Sequence, residues 1–284
     1  MSIPPYPVRA MRLRQARPSQ GVQWVRNGFR IFSRKPLAFS ALFAAFMFIS
    51  LVLLMVPTLG AVLLLGALPL VSLGFMIASQ LALQDRTPTP TVFIRPLRRD
   101  PARTRSILML GAVYALLSVL AMLVSDWVDG GSFGRLQDAL AKGNDDPEAL
   151  NALLNDGQLQ AGLLLRLTLA SLLSVPFWHA PAMVHWGGQG WLMSLFSSTL
   201  AVWRNRGAFS VYMLCWTGVV LAFGLLANIV FALLGAPELL AVVAMPAGLM
   251  FSTVFYASLF FTFADSFERA PASSAGDTQS LENL

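Results

Sequence analysis

Six long apolar stretches, separated by short polar breaks, run from Leu37 to Ala264. Stretches of this length cross a bilayer as helices, because hydrocarbon offers no partner for free backbone N–H and C=O groups. The pattern therefore predicts an all-α polytopic integral membrane bundle of six transmembrane helices. The predicted spans are residues 37–56, 59–83, 107–124, 162–184, 209–234 and 239–264.

Two amphipathic stretches predict helices that lie in the membrane interface on the cytoplasmic face. In residues 19–35 an apolar stripe recurs at helical spacing, with Trp24 at its edge and basic residues on another face. That stripe consists of Val22, Val25, Phe29 and Phe32. Ser19 is the predicted N-cap and Pro36 the predicted stop. The second stretch is residues 191–203, whose polar but uncharged face consists of Ser194, Ser197 and Ser198.

The segments outside the spans are short, with one exception. Residues 1–18 and 266–284 are predicted to be disordered cytoplasmic tails, the first of them basic. Residues 125–160 are the predicted periplasmic loop, in which Asp146-Pro147-Glu148 starts a short helix through Leu154.

A short internal echo relates the two halves of the chain. The segment Arg34–Ser40 aligns with Arg204–Ser210, and each segment opens an inside-to-outside hairpin. Either a duplication or two independent exits from the interface explains the match.

Composition and charge assign the chain to a membrane and give it an orientation. It is 56% hydrophobic and only 12% charged, whereas soluble domains carry about 25% charge. Basic residues precede the first span and fill residues 84–105, while residues 125–160 are mainly acidic. Lys and Arg in short loops stay on the cytoplasmic side, so both termini are predicted to be cytoplasmic in a bacterial inner membrane. This basicity predicts that the chain contacts the anionic headgroups of the bilayer. It does not predict a nucleic-acid partner.

Three polar positions interrupt the predicted spans: Arg166, His179 and Asn228. A charge at the centre of a span costs about 2.5–3.5 kcal/mol on insertion scales, so Arg166 needs a partner or a route to the headgroups. We hypothesise that Arg166 and Asn228 face each other and form a hydrogen bond. The alternative is that Arg166 snorkels and Asn228 caps its helix separately.

No catalytic, cofactor or metal site is predicted, and the chain is not expected to be an enzyme. Gly130-Gly131-Ser132-Phe133-Gly134 fits the G-x-S-x-G string of hydrolases, but the strand-turn-helix context that the motif needs is missing. His179 and His185 are too few, and point too far apart on a helix, to predict a metal site.

Two stretches carry a resemblance to a known family. The first comprises Gln20-Gly21, Trp24, Gly28-Phe29, Phe32 and Arg34-Lys35-Pro36, and the second Trp178-His179-Ala180-Pro181-Ala182, Arg204-Asn205 and Ala208–Tyr212. The chain resembles an uncharacterised family of six-helix inner-membrane proteins from β-proteobacteria. This resemblance implies residence in the inner membrane and carries no established activity or catalytic residue. His179 stands where the family pattern has an aromatic residue.

The sequence favours a non-enzymatic envelope scaffold or accessory subunit with a membrane-protein partner, because its spans contain few groups that bind a solute. The alternative is a transporter or channel for an apolar, lipid-like or small solute. A water-filled cavity between spans four and five would favour transport, and a dry packed core the structural role. An apolar groove open to lipid would favour lipid handling or a partner helix.

Overall fold

The structure is a computed structural model that describes residues 11–98, 100–141, 147–236 and 238–269. Within these ranges six helices are long and apolar enough to cross a membrane. The predicted all-α polytopic bundle is therefore confirmed. Residues 1–10 and 270–284 of the two predicted tails, and Asp146 of the predicted short helix, lie outside the described residues.

The helices follow one another with short connections. They are α1 Gln20–Arg34, α2 Pro36–Leu54, α3 Leu59–Leu83, α4 Pro101–Asp129, α5 Ser132–Ala141, α6 Pro147–Leu154, α7 Gly157–Phe177, α8 Ala180–Gly187, α9 Trp191–Arg204, α10 Arg206–Leu233 and α11 Leu239–Ser266. Two 3₁₀ turns, Pro90–Phe93 and Arg95–Arg98, connect α3 to α4, and the strands β1 Met11–Leu13 and β2 Phe267–Arg269 form an antiparallel pair.

The segment between the third and fourth spans, predicted to be a periplasmic loop with one short helix, is mostly helical in its described residues, and its periplasmic location stays a prediction. Helix α4 continues to Asp129, where Gly130 ends it in the left-handed conformation at φ 58°. Helices α5 and α6 follow, the latter at the position where the Asp-Pro-Glu sequence predicts one. The Asp156 carboxylate accepts the Gln158 N–H at 3.1 Å and so caps α7 well before the predicted span begins.

Helix α1 is packed into the bundle along one face. Trp24 is fully buried against α10 and α11, whereas Val22 is half exposed. Val25 of the predicted stripe is buried and Phe29 and Phe32 pack against the core, but Trp24, predicted at the edge, lies with Gly28 and Ile31 at the centre of the inner face. Ser19 precedes the helix without forming a side-chain cap. An interfacial location for α1 and α9 stays a prediction.

The two halves of the internal echo each have a single residue between two helices. Helix α1 ends at Arg34 and α2 begins after a single residue, Lys35. Helix α9 ends at Arg204 and α10 likewise begins after a single residue, Asn205.

The end of the bundle formed by β1, β2, α1 and α9, here called the proximal end, is tightly packed. Asn205 is fully buried there and holds three groups together. Its Oδ1 accepts the Ala16 N–H at 2.7 Å, and its Nδ2 donates to the Arg14 carbonyl and the Ser266 hydroxyl at 3.2 Å. Trp24 Nε1 also donates to Asp265 at 2.7 Å. These bonds fix the first residues of the described chain to its last helix.

The opposite end, here called the distal end and formed by α5 and α6, is more open. The buried residues of α10 all lie in its first half: Ala208, Phe209, Tyr212 and Trp216. Beyond them the helix exposes a succession of Leu, Ile and Val side chains. A membrane supplies the apolar surroundings that such a surface requires.

Candidate intramembrane ligand site

The fourth span is broken between α7 and α8, and a serine from α9 fills the break. In an unbroken helix the His179 N–H would bond to the Val175 carbonyl four residues earlier. Instead it donates to the Ser198 hydroxyl at 2.9 Å, and that hydroxyl donates to the Val175 carbonyl at 3.1 Å. Pro181 contributes to the break, because it has no N–H to offer to the preceding turn. The inserted hydroxyl satisfies both backbone groups and fixes the place where the span bends.

His179 is buried in this break and belongs to the protein core. Its Nε2 lies 3.1 Å from the Thr262 hydroxyl, and the edges of Phe209, Phe263 and Phe267 surround its ring. Its Nδ1 has no hydrogen-bond partner in the described part of the chain. No cluster of three or more His, Cys, Asp or Glu residues that could hold a metal ion occurs among the described residues.

A cavity of about 350 Å³ lies beside the break, where α3, α4, α7, α10 and α11 come together. Its apolar wall consists of Leu68, Pro69, Ala170, Phe177, Met213, Phe255 and Leu259. Trp178 and five hydroxyl-bearing side chains complete the lining: Ser72, Tyr114, Ser171, Ser174 and Tyr256. The cavity is therefore amphipathic, with hydroxyls from four different helices facing an otherwise apolar space.

A second cavity, of about 580 Å³, lies between α10 and α11 and shares Phe255 and Tyr256 with the first. Its other lining residues are Trp216, Thr217, Val220, Leu221, Phe251 and Ser252. Val220 and Leu221 are 52% and 67% exposed, so this cavity opens at the side of the bundle that the membrane covers. The two cavities are therefore adjacent, and Phe255 and Tyr256 line both of them.

Tyr256 lines both cavities. Its ring stacks on Phe75 with centroids 5.2 Å apart, which fixes the direction of the side chain. Its hydroxyl forms no hydrogen bond with another residue in the described ranges. A phenol hydroxyl that enters a protein interior normally finds a partner, so this group is available to a ligand.

Arg166 does not contact Asn228, and the hypothesis that joined them is wrong. The Arg166 guanidinium forms an ion pair with Asp126 and a second with Asp129 at 3.2 Å, both from α4. It also lies 3.9 Å from the centre of the Phe133 ring. Asp129 is fully buried, and a Cβ at Gly162 would overlap it, so α7 approaches α4 closely because that position is glycine.

Asn228 lies on the exposed surface of the distal half of α10. The structure thus separates the three predicted polar positions: Arg166 pairs with α4, His179 lies in the helix break, and Asn228 faces outward. None of them lines the two cavities. Sequence reasoning missed Tyr114, Ser174 and Tyr256, because single hydroxyls are common in spans and carry no periodic signal.

The G-x-S-x-G string forms a helix boundary at the distal end. Ser132 begins α5, donates to Asp156 at 2.7 Å and accepts from Arg135 at 2.6 Å. The Ser132 hydroxyl, followed by the Gln158 N–H, holds the pKa of the Asp156 carboxyl below its usual range. Both histidines lie elsewhere, at the break and in α8, and these contacts join the start of α5 to the N-cap of α7.

Comparison with known proteins gives one informative relative. The chain is 31% identical over 260 residues to a probable inner membrane protein of Burkholderia thailandensis, and the alignment covers 90% of this chain and 94% of the relative. No family model and no solved structure matches the chain. Six membrane-length helices and this end-to-end similarity agree. The chain is therefore a multi-pass inner-membrane protein and belongs to the family that the Burkholderia thailandensis protein represents.

Proposed function

We propose that this protein is a non-enzymatic inner-membrane protein that binds a lipid-like molecule in the two adjacent cavities. The observation that carries the proposal is the position of Tyr256, which lines both the cavity that opens beside Val220 and Leu221 and the cavity with the other hydroxyls. Such binding is the first step that a transporter for a lipid-like solute requires.

The shape and lining of the site support this proposal over a purely structural role. Intramembrane ligand sites typically combine a broken helix with groups that replace the ligand's contacts to its surroundings. The break at His179 and the adjacent hydroxyls of Ser171 and Ser174 provide both features. A scaffold needs no cavity of this volume in its centre, because voids weaken packing.

The proposal includes the orientation and the absence of catalysis. The charge distribution favours a cytoplasmic proximal end, which carries the described ends of the chain. An enzyme would need an acid and a base close together in a site. Neither cavity is lined by Asp, Glu, His or Lys among the described residues, which supports a binding function.

A second function is supported by a different observation, the exposure of Asn228 on α10. A carboxamide that faces hydrocarbon loses its hydrogen bonds, unless a polar group on a neighbouring helix replaces them. This surface favours an accessory or scaffold subunit whose partner helix covers the distal half of α10.

The two functions are separable by purifying the full chain from native membranes and identifying its bound lipids and proteins by mass spectrometry. Ser174→Phe fills the first cavity, and Leu172→Phe is the matched control because Leu172 is 63% exposed on the same helix. The proposal predicts one lipid class enriched over the bulk membrane in the wild type and the control, and lost in Ser174→Phe. A lipid profile identical to the bulk membrane in all three proteins would overturn it. A stoichiometric protein lost in Asn228→Leu would instead support the accessory subunit.

A further inference from the structure

The ligand's chemical class follows from the lining of the two cavities. We infer that the ligand is an uncharged lipid whose oxygen-bearing head binds the Tyr256 hydroxyl while its chain occupies the cavity between α10 and α11. This inference rests on the proposed function and deepens it.

The lining excludes a charged head. Every lining residue among those described is apolar, aromatic or a neutral hydroxyl. A phosphate or carboxylate placed there would lose its hydration without gaining a Lys, Arg or helix N-terminus in exchange. The basic and acidic groups of the bundle lie elsewhere, and Arg166 is already paired with two carboxylates. A neutral head avoids that desolvation cost.

The depth of the site leads to the same class of lipid. Tyr256 is ten residues before the end of α11 at Ser266, which is about 15 Å along the helix. Tyr114 lies close to the middle of α4. Because the hydrocarbon core is about 30 Å thick, these hydroxyls lie near its middle. Ordinary phospholipid heads do not reach this depth, whereas a lipid with a small uncharged head can.

Tyr256 offers the head a hydrogen bond in either direction. Its hydroxyl donates to a carbonyl oxygen or accepts from a hydroxyl. Diacylglycerols and isoprenoid quinones both have such an uncharged oxygen on an apolar chain. The second cavity begins at Tyr256 and reaches the membrane beside Val220 and Leu221, so the chain can remain in an apolar environment.

Tryptophan fluorescence provides a direct test, because Trp178 lines the first cavity and Trp216 the second. The full chain is placed in nanodiscs of phosphatidylethanolamine and phosphatidylglycerol. Brominated diacylglycerol, brominated phosphatidic acid with the same chains and a short-chain isoprenoid quinone are then titrated. Bromine atoms and quinone rings quench the fluorescence of nearby indoles. Brominated phosphatidylcholine measures the background quenching by bulk lipid, and binding in the cavities appears as additional quenching that saturates.

The inference predicts saturable quenching by diacylglycerol, by the quinone or by both, and none above background by phosphatidic acid. Whichever neutral probe half-saturates at the lower mole fraction identifies the source of the head group. Tyr256→Phe should raise the half-saturating mole fraction about fivefold, as expected for one lost hydrogen bond. Tyr212→Phe is the control, because the Tyr212 hydroxyl bonds to Ser258 at 2.6 Å outside both cavities.

Two results would overturn the inference while leaving the cavities as a binding site. In the first, phosphatidic acid quenches the tryptophan fluorescence as saturably as diacylglycerol does. In the second, Tyr256→Phe binds the neutral lipids as strongly as the wild type does. If no probe gives saturable quenching and Ser174→Phe retains the wild-type lipid profile, the proposed function itself fails.

Discussion

Removal of one partner from the ion pair between Arg166 and Asp129 should strongly destabilise the distal end. Asp129 is fully buried and its Oδ2 lies 3.2 Å from Arg166 Nη2. The Arg166 side chain is only 18% exposed. Asp126 binds the same guanidinium, but its side chain is 54% exposed. Removal of either carboxylate tests how burial determines the strength of the pair.

Asp129→Ala and Asp126→Ala should lower the free energy of unfolding by amounts that differ severalfold. Removing one partner of a buried pair costs about 3–5 kcal/mol, because the remaining charge has no counterion. Asp129→Ala should cost about 3 kcal/mol, near the low end, since Asp126 still partly neutralises Arg166. Asp126→Ala should cost about 1 kcal/mol or less, as exposed pairs do. Asn228→Leu should change stability by less than about 0.5 kcal/mol, because Asn228 is exposed and does not contact Arg166.

The measurement is the free energy of unfolding of each variant in detergent micelles, followed by circular dichroism during titration with a denaturing detergent. Arg166→Leu combined with Asp129→Leu provides the double variant. It should cost less than the sum of the two single changes, because the only charge that it leaves without a partner is that of Asp126, whose side chain is 54% exposed. Equal losses for Asp129→Ala and Asp126→Ala, or a loss below about 1 kcal/mol for the former, would refute the reasoning from burial.

Four further predictions test other parts of the molecule. Ser198→Ala should lower the free energy of unfolding by about 2 kcal/mol in the same assay, because it leaves the buried His179 N–H unpaired and removes one hydrogen bond to the Val175 carbonyl; Ser197→Ala is the control. Asn205→Ala should cost about 2 kcal/mol and speed proteolysis of the first described residues, because its Oδ1 and Nδ2 hold them to α11. For Asp156, the pKa in the folded protein lies below the unfolded value, so its contribution is present at neutral pH and is lost as the pH falls through the folded pKa. Asp156→Asn should reduce that acid sensitivity, measured as the melting temperature against pH, and an unchanged profile would contradict this. A phosphatase reporter inserted near Gly143 should be active and one at the C-terminus inactive, and the reverse pattern would overturn the proposed orientation.

The membrane architecture was determined by the sequence alone. The six spans could be identified because the length and apolarity of a spanning helix are local properties that bilayer thickness imposes. Pro36 could be identified as a helix boundary for the same reason, since it fixes its own backbone and offers no N–H. The unusual position of Arg166 was also evident, because any charge in an apolar run requires an explanation.

The partners of these residues were decided by the tertiary structure. Arg166 pairs with Asp126 and Asp129 because Gly162 brings α7 against the end of α4, a contact between residues distant in sequence. The break at His179 depends on a hydroxyl from α9, and the availability of Tyr256 depends on five helices leaving a space that none of them fills. Hydrophobic pattern specifies which residues enter the membrane. How side chains pack across helices specifies which polar groups find each other and which remain free to bind a ligand.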